Sequence, residues 1–255
     1  IGLYPLGHHL ESKFVNIAVL VTCHNRRAIT IESLGRLQSS FDDGHIRANF
    51  FVVDDGSADG TGQAIEDAYP SMHVAYGDGH LFWNGGMCRA FSLARRCGSF
   101  DAYLLFNDDV FIDRVAVKKF MQKFLELNMF KPSILVGATV SKTGVLTYSG
   151  MLRSSRMRPL SVTKVAPNGE LQSCDTFNAN FVLVPGDFFE TVGGLDERFT
   201  HAYGDIDLGY RAKKAGLQLW TAGEPVGVCE GDAVLASLEE NEVNFLIRCK
   251  SRWSK

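Results

Sequence analysis

Apolar runs that stop abruptly at carboxylates set the pattern of this chain. Phe50-Phe51-Val52-Val53 ends at Asp54-Asp55-Gly56-Ser57, and Tyr103-Leu104-Leu105-Phe106 ends at Asn107-Asp108-Asp109. Near-continuous runs of this kind predict buried strands, here over 16–22, 49–54, 73–76 and 102–106. Between them the spacing turns helical. Met87, Ala90, Phe91 and Ala94 fall at i, i+3, i+4, i+7, and so do Val117, Phe120, Met121 and Phe124. Ile31, Leu34 and Leu37 predict a further helix, and another follows Gly60-Thr61 with Ser57 or Asp59 as its cap. Strands alternating with helices argue an α/β fold with a mainly parallel sheet covered on both faces.

The second half reads differently. Strands over 133–140 and 145–149 flank the turn Lys142-Thr143-Gly144. Residues 153–170 are polar and basic, with Pro159, Pro167 and Asn168-Gly169, and predict a surface loop long enough to be functional. The apolar stretch 177–184 leads into Pro185-Gly186-Asp187, which opens a short helix ended by Gly193-Gly194. Residues 205–215 predict a helix stopped by Gly216, and 217–221 a final strand. No repeat, low-complexity tract or convincing linker divides the chain. Residues 1–255 are expected to form a single domain with unlike halves, 14–113 and 114–235, and a helical tail over 236–255. Val243, Phe245, Leu246 and Ile247 alternate there with Arg248, Lys250, Arg252 and Lys255. Two readings of that tail stand: a helix packed on the core, its basic end favoured by the helix dipole, or a peripheral contact with an anionic membrane.

Composition changes this picture little. A chain of 255 residues with 45% hydrophobic and 22% charged residues is ordinary for a globular protein. A net charge of −3 gives no reason to expect a nucleic-acid partner. Cys23, Cys88, Cys97, Cys174, Cys229 and Cys249 form no C-x-x-C pair, so reduced thiols in a cytoplasmic protein are expected. No apolar stretch approaches the ~20 residues that span a bilayer, and no secretory signal pattern is present. A start at Ile1 rather than Met is what a processed, engineered or excised piece would show.

Four clusters carry candidate chemistry. In open α/β sheets ligands bind outside the carboxyl ends of strands. Asp54 and Asp55 stand there and can accept a uracil-type N3–H or ribose hydroxyls; a capped turn without ligand is the other reading. In Asn107-Asp108-Asp109, residues two apart face one side of an extended segment. Hard divalent cations want oxygen ligands, and Asp109 is the candidate. In the segment 77–86, glycines allow backbone to approach a phosphate, and Gly85-Gly86 sit where a helix, and hence an anion site, begins. Arg89 lies one turn in, within reach of a diphosphate. Trp83 reads either as the wall of a sugar pocket or as core. In His201-Ala202-Tyr203-Gly204-Asp205-Ile206-Asp207-Leu208-Gly209-Tyr210-Arg211, both acids benefit from a helix start. Asp207 is i−4 from Arg211 and predicts a structural ion pair, which leaves Asp205 as candidate general base. His8, His9, His45 and His73 have no partners in the sequence and are weak leads.

Together these blocks resemble the family 2 glycosyltransferases, inverting enzymes of the GT-A fold, over about 15–227. Val21-Thr22-Cys23-His24-Asn25-Arg26 is similar to the family's T-x-x-N-R strand end, and Val53-Asp54-Asp55-Gly56-Ser57 to its nucleotide-binding turn. Asn107-Asp108-Asp109-Val110 stands where the family has D-x-D, in the N-x-D form of rhamnosyltransferase-like members. Gly193-Gly194-Leu195-Asp196-Glu197-Arg198-Phe199 and the Asp205 block match its G-x-x-D-E-x-F … E-D-x-D-L-x-x-R stretch.

The resemblance implies a GT-A (Rossmann-like) mixed sheet flanked by helices, with donor bound by 14–113 and acceptor by 114–235. It implies nucleotide binding by Thr22, Asn25, Arg26, Asp54, Asp55, Gly85, Arg89, Asn107 and Asp108. Asp109 would hold Mg2+ or Mn2+, Asp205 would be the base, and Trp83 and Asp207 would lie near the sugars. The donor would be a dTDP- or UDP-linked sugar. The acceptor would be a glycan or lipid-linked saccharide of bacterial surface polysaccharide, handled in the cytoplasm or at the inner membrane face. Two positions depart from the pattern. Gly204 replaces the acid before the base. Cys229-Glu230 replaces a metal-binding His of some relatives, so Glu230 is the candidate oxygen ligand and Cys229 a poor one for Mg2+.

Two other functions stand beside this one. A sugar-1-phosphate nucleotidyltransferase would want a glycine-rich basic loop after the first strand, where Cys23-His24-Asn25-Arg26-Arg27 has no glycine. A catalytically impaired nucleotide-sugar-binding module draws support from Gly204 and Cys229-Glu230. The lack of G-x-G-x-x-G after the first strand argues against a dinucleotide oxidoreductase.

Overall fold

A computed structural model describes residues 15–41, 46–155, 157–200 and 202–231. The expected tail over 236–255, Cys249, His8, His9 and His45 lie outside the described residues. The first half runs β1 (Val15–Cys23), α1 (Arg27–Ser39), β2 (Ile46–Asp54), α2 (Thr61–Ala68), β3 (His73–Tyr76), α3 (Phe82–Cys97) and β4 (Ala102–Asn107). The second runs β5 (Phe111–Ile112), α4 (Arg114–Phe130), β6 (Ser133–Val140), β7 (Leu146–Tyr148), β8 (Gly150–Ser155) and β9 (Arg158–Lys164). It ends with β10 (Gln172–Ser173), β11 (Thr176–Phe177), β12 (Phe181–Pro185), α5 (Gly186–Thr191), α6 (Gly204–Lys214) and β13 (Gln218–Val228).

The main sheet has the order β10-β13-β6-β12-β4-β1-β2-β3, with β5 on β13 and β7 on β6. It is parallel through β3, β2, β1 and β4 and again between β6 and β13; β12 enters antiparallel between β4 and β6. Strand periodicity sorts the buried residues of β1 onto two faces. Ile17, Val19 and Val21 pack with Leu34 and Leu37 of α1 and with Val117, Phe120 and Phe124 of α4. Ala18 and Leu20 pack with Met87, Ala90 and Phe91 of α3 and Leu208 of α6. The helical stripes expected on α3 and α4 are therefore the faces that cover the sheet. Among the described residues no helix is long and apolar enough to cross a membrane.

The chain leaves β1 for β2 and β3 on one side, then returns to β4 on the other. This places the topological switch point between β1 and β4, where ligands of open α/β sheets bind.

Several expectations need correction. Residues 153–170 are not simply a loop: β8 and β9 pair antiparallel there and, with β11, make a separate three-stranded sheet. Arg153 and Ser154 are exposed on it, so the hairpin lacks the apolar alternation of a buried strand. The last strand continues past residue 221 to Val228. Register shifts around Pro225 absorb its missing N–H. The short strand β5 was not anticipated. Helix α3 begins at Phe82, ahead of Gly85-Gly86. At the start of α2, Asp59 accepts from the Thr61 amide at 3.0 Å, whereas Ser57 turns to Asp54.

Candidate active site

The carboxyl ends of β1 and β2 are laced together by side chains that bond backbone. Asp54 is buried; its Oδ1 accepts from the Ser57 amide and hydroxyl, and its Oδ2 from the Gly62 amide at 2.8 Å. Asp55, also buried, accepts from the Gly79 and Phe82 amides, both at 2.9 Å, and so pins the 77–82 segment to the sheet. Asn25, with φ 51°, donates its amide to Ser57 Oγ and accepts from the Ala58 amide, each at 2.8 Å. His24 Nδ1 lies 2.7 Å from the Asp55 carbonyl oxygen. These groups shape the turn; both carboxylates expected at the nucleotide already accept from backbone amides.

Thr22 and Gly86 meet where β1 passes under α3. A Cβ on Gly86 would lie 2.1 Å from Thr22 Oγ1, so glycine is required there by close packing. Gly85 is half-buried beside it, and Arg89 is exposed one turn on.

At the switch point Arg26 bridges two acids. Its Nη2 lies 2.9 Å from Asp108 Oδ1 and its Nη1 2.8 Å from Asp109 Oδ2. Asp108 is buried, and Thr30 Oγ1 donates to its Oδ2 at 2.7 Å. Its carboxyl is pushed up to about 6, chiefly by burial and in part by Asp109, against the opposing pull of Arg26 and Thr30. Asp109 is more open, with 24% of its side chain exposed. Cys229 Sγ donates to Asp109 Oδ1 at 3.5 Å. Glu230 instead accepts from the Lys142 amide at 3.0 Å. The structure thus brings Cys229, not the Glu230 carboxylate, against Asp109. Asn107 Oδ1 accepts from Trp83 Nε1 at 2.7 Å, which fixes the indole beside the same strand end.

Among the described residues no three His, Cys, Asp or Glu side chains gather as a metal-binding group. A hard carboxylate near the surface still suits Mg2+ or Mn2+, which usually take one or two carboxylates and fill the remaining positions from phosphate and water. Among the acids at the switch point, Asp109 is the one open enough that it could serve so.

A short relay joins Asp109 to Asp205. Asn180 Nδ2 lies 3.8 Å from Cys229 Sγ, and the Asn180 carbonyl accepts from the Asn107 amide at 3.0 Å. Its neighbour Ala179 donates its amide to Asp205 Oδ2 at 3.1 Å. Asp205 Oδ1 accepts from the Ile206 amide at 2.8 Å. Burial raises the Asp205 carboxyl above the usual range, although these amides and the Asn178 side chain favour its charged form. Asp207 pairs with Arg211 at 2.6 Å, and Arg211 also donates to the Gly194 carbonyl at 2.9 Å, which clamps α6 to the turn after α5.

Asn84 was not singled out in the sequence. It is fully buried, and its Nδ2 donates to the Asp196 and Phe199 carbonyls at 2.9 and 2.7 Å. Its Oδ1 has no hydrogen-bond partner among the described residues. A Cβ on Gly204 would lie 1.8 Å from that oxygen. The glycine before Asp205 thus makes room for the Asn84 carboxamide. The available signal was a polar residue on an apolar stripe, since Asn84 lies three and seven positions before Met87 and Phe91.

No protein-family model matches the sequence, and no curated protein matches it significantly. Solved structures do match the fold. A mannosyltransferase from Pyrobaculum calidifontis in complex with GDP-Man and Mn2+ superposes with a TM-score of 0.56 and 14% identity, over 85% of this chain and 56% of its own. GalNAc-T7 with UDP, GalNAc and Mn2+ gives 0.62 and 10% identity, over 85% and 44%. Residues 1–349 of S. aureus TarS give 0.58 and 13%, over 84% and 59%. The chain spans about half the length of these solved chains, and its described residues have the mixed α/β architecture of GT-A glycosyltransferases.

Proposed function

We propose that this chain is the catalytic module of an inverting, divalent-metal-dependent glycosyltransferase of family 2. It moves a sugar from a dTDP- or UDP-linked donor to a hydroxyl of a glycan or lipid-linked acceptor, in the rhamnosyltransferase-like manner of bacterial surface-polysaccharide synthesis. The observation that carries this reading is the relay from Asp109, at the switch point, through Cys229, Asn180 and Ala179 to Asp205. The fold likeness supports it, as do the nucleotide, sugar and Mn2+ in two of the neighbours.

In this reading the first half holds the donor and the second the acceptor. Arg26 and Arg89 bind diphosphate charge, Trp83 and Asn107 border the sugar, and Asp55 keeps the 77–82 segment in place. Asp109 holds Mg2+ or Mn2+, which when bound supplies neutralisation of the leaving diphosphate. Asp205 takes the proton of the acceptor hydroxyl at a carboxylate oxygen. Its raised proton affinity brings it nearer the working pH of a general base. Attack on the anomeric carbon from the face opposite the diphosphate inverts the configuration in one displacement.

Calorimetric titration with UDP, dTDP, GDP and CDP, with and without Mn2+, tests the donor site. Mn2+-dependent binding of UDP or dTDP is expected. Absence of binding to all four would replace this reading with that of an impaired module.

A further inference from the structure

Asp109 carries two different neighbours, a thiol at Oδ1 and the Arg26 guanidinium at Oδ2. Arg26 spans both acids of the switch point, with one N–H on Asp108 and one on Asp109. We infer that Arg26 and the divalent cation are alternative occupants of Asp109 Oδ2, and that the guanidinium transfers to the donor diphosphate when the cation takes its place. This rests on the reading of Asp109 as a metal ligand.

Three observations support the exchange. The Arg26 side chain is 42% exposed, so it can leave without unpacking the core. Its backbone is fixed at the start of α1, where its carbonyl accepts from the Thr30 amide at 2.9 Å; only side-chain torsions need change. Asp108 keeps Thr30 on its other oxygen after Arg26 departs. The charges drive the exchange. A guanidinium and a dication a few ångströms apart repel, and a diphosphate offers the planar fork the paired acceptors it binds best. Metal alone should therefore bind against Arg26, and donor and metal together should bind with its help.

The test measures Mn2+ affinity by electron paramagnetic resonance and UDP or dTDP affinity at saturating Mn2+ by calorimetry. Both are run on the wild type, Arg26→Met and Arg26→Lys. Arg26→Met should bind Mn2+ alone about tenfold more tightly and the nucleoside diphosphate about tenfold more weakly, each equivalent to about 1.4 kcal/mol. Arg26→Lys keeps the charge but lacks the planar fork that serves both acids and a diphosphate, and should fall between. Adding Asp109→Asn to Arg26→Met should abolish the gain in Mn2+ affinity. Unchanged or weaker Mn2+ binding in both Arg26 variants, or unchanged nucleotide binding, overturns the exchange. Failure of the proposed function looks different: the wild type would bind no nucleoside diphosphate at any Mn2+ concentration, while the Mn2+ titrations would still report on Arg26.

Discussion

The two ends of the candidate site treat polar groups in opposite ways. At the β1–β2 end, Asp54, Asp55, Ser57 and Asn25 bond to backbone amides or to one another and hold two turns in register. Around the start of α6, Asp205 is a half-buried acid that keeps a raised proton affinity although it too accepts from two amides, and the side-chain oxygens of Asn84 and Asn178 have no partner among the described residues. Satisfied networks rigidify, whereas buried groups short of partners mark sites where stability is given up. The first region is built as a frame. The second is where proton transfer would occur.

Substitutions sharpen this contrast. The largest effect is expected from Asp205→Asn, which should lower the rate of sugar transfer by about 10²–10⁴-fold, the usual contribution of a general base, while nucleotide binding stays intact. In the wild type the rate should fall with decreasing pH through a pKa above the ordinary carboxylate range, because only ionised Asp205 can accept a proton. That limb should vanish from the pH profile of the variant. A rate within a few-fold of wild type would remove Asp205 from the mechanism.

A middle effect is expected from Gly204→Ala. The new methyl meets an oxygen whose carboxamide is held by two carbonyls and cannot swing away. Overpacking of this kind costs about 1–3 kcal/mol, to be read from denaturant midpoints. Adding Asn84→Ala should recover part of that loss, a coupling that a double-mutant cycle measures. Additive losses would mean that the two residues do not share the space. The smallest effect is expected from Ser57→Ala in the frame. It removes one hydroxyl between Asp54 and Asn25, while Asp54 keeps the Ser57 and Gly62 amides, so about 1 kcal/mol of stability should go. A large change in transfer rate from Ser57→Ala would erase the distinction between frame and reaction region.

The frame's architecture was legible in the sequence because β1, β2 and β4 are buried on both faces along most of their length. The apolar runs ending at Asp54 and Asn107 mark β2 and β4, and β3 falls on the expected residues. The β8–β9 hairpin was not legible, since it shows polar residues to solvent and carries Pro159. The far end of β13 was hidden by Pro225, which reads as a strand breaker. Residue types at strand ends pointed to the acids, but not to their partners. Nothing in Asp54-Asp55-Gly56-Ser57 says that both carboxylates turn to backbone amides. Nothing local says that Arg26 spans an 83-residue separation to reach Asp109. Such pairings depend on which strands lie side by side, and sequence spacing does not encode that.

The fit between Asn84 and Gly204 also bears on how this protein can change over generations. A side chain at 204 meets the carboxamide of 84, while loss of that carboxamide strips the Asp196 and Phe199 carbonyls of their donor. The two routes to an acid beside Asp205 are therefore unequal. A variant that first shrinks residue 84 loses hydrogen bonds but keeps its shape, whereas one that first enlarges residue 204 forces two buried groups into the same volume. Mutational history at this spot would run in one direction, with position 84 yielding before position 204.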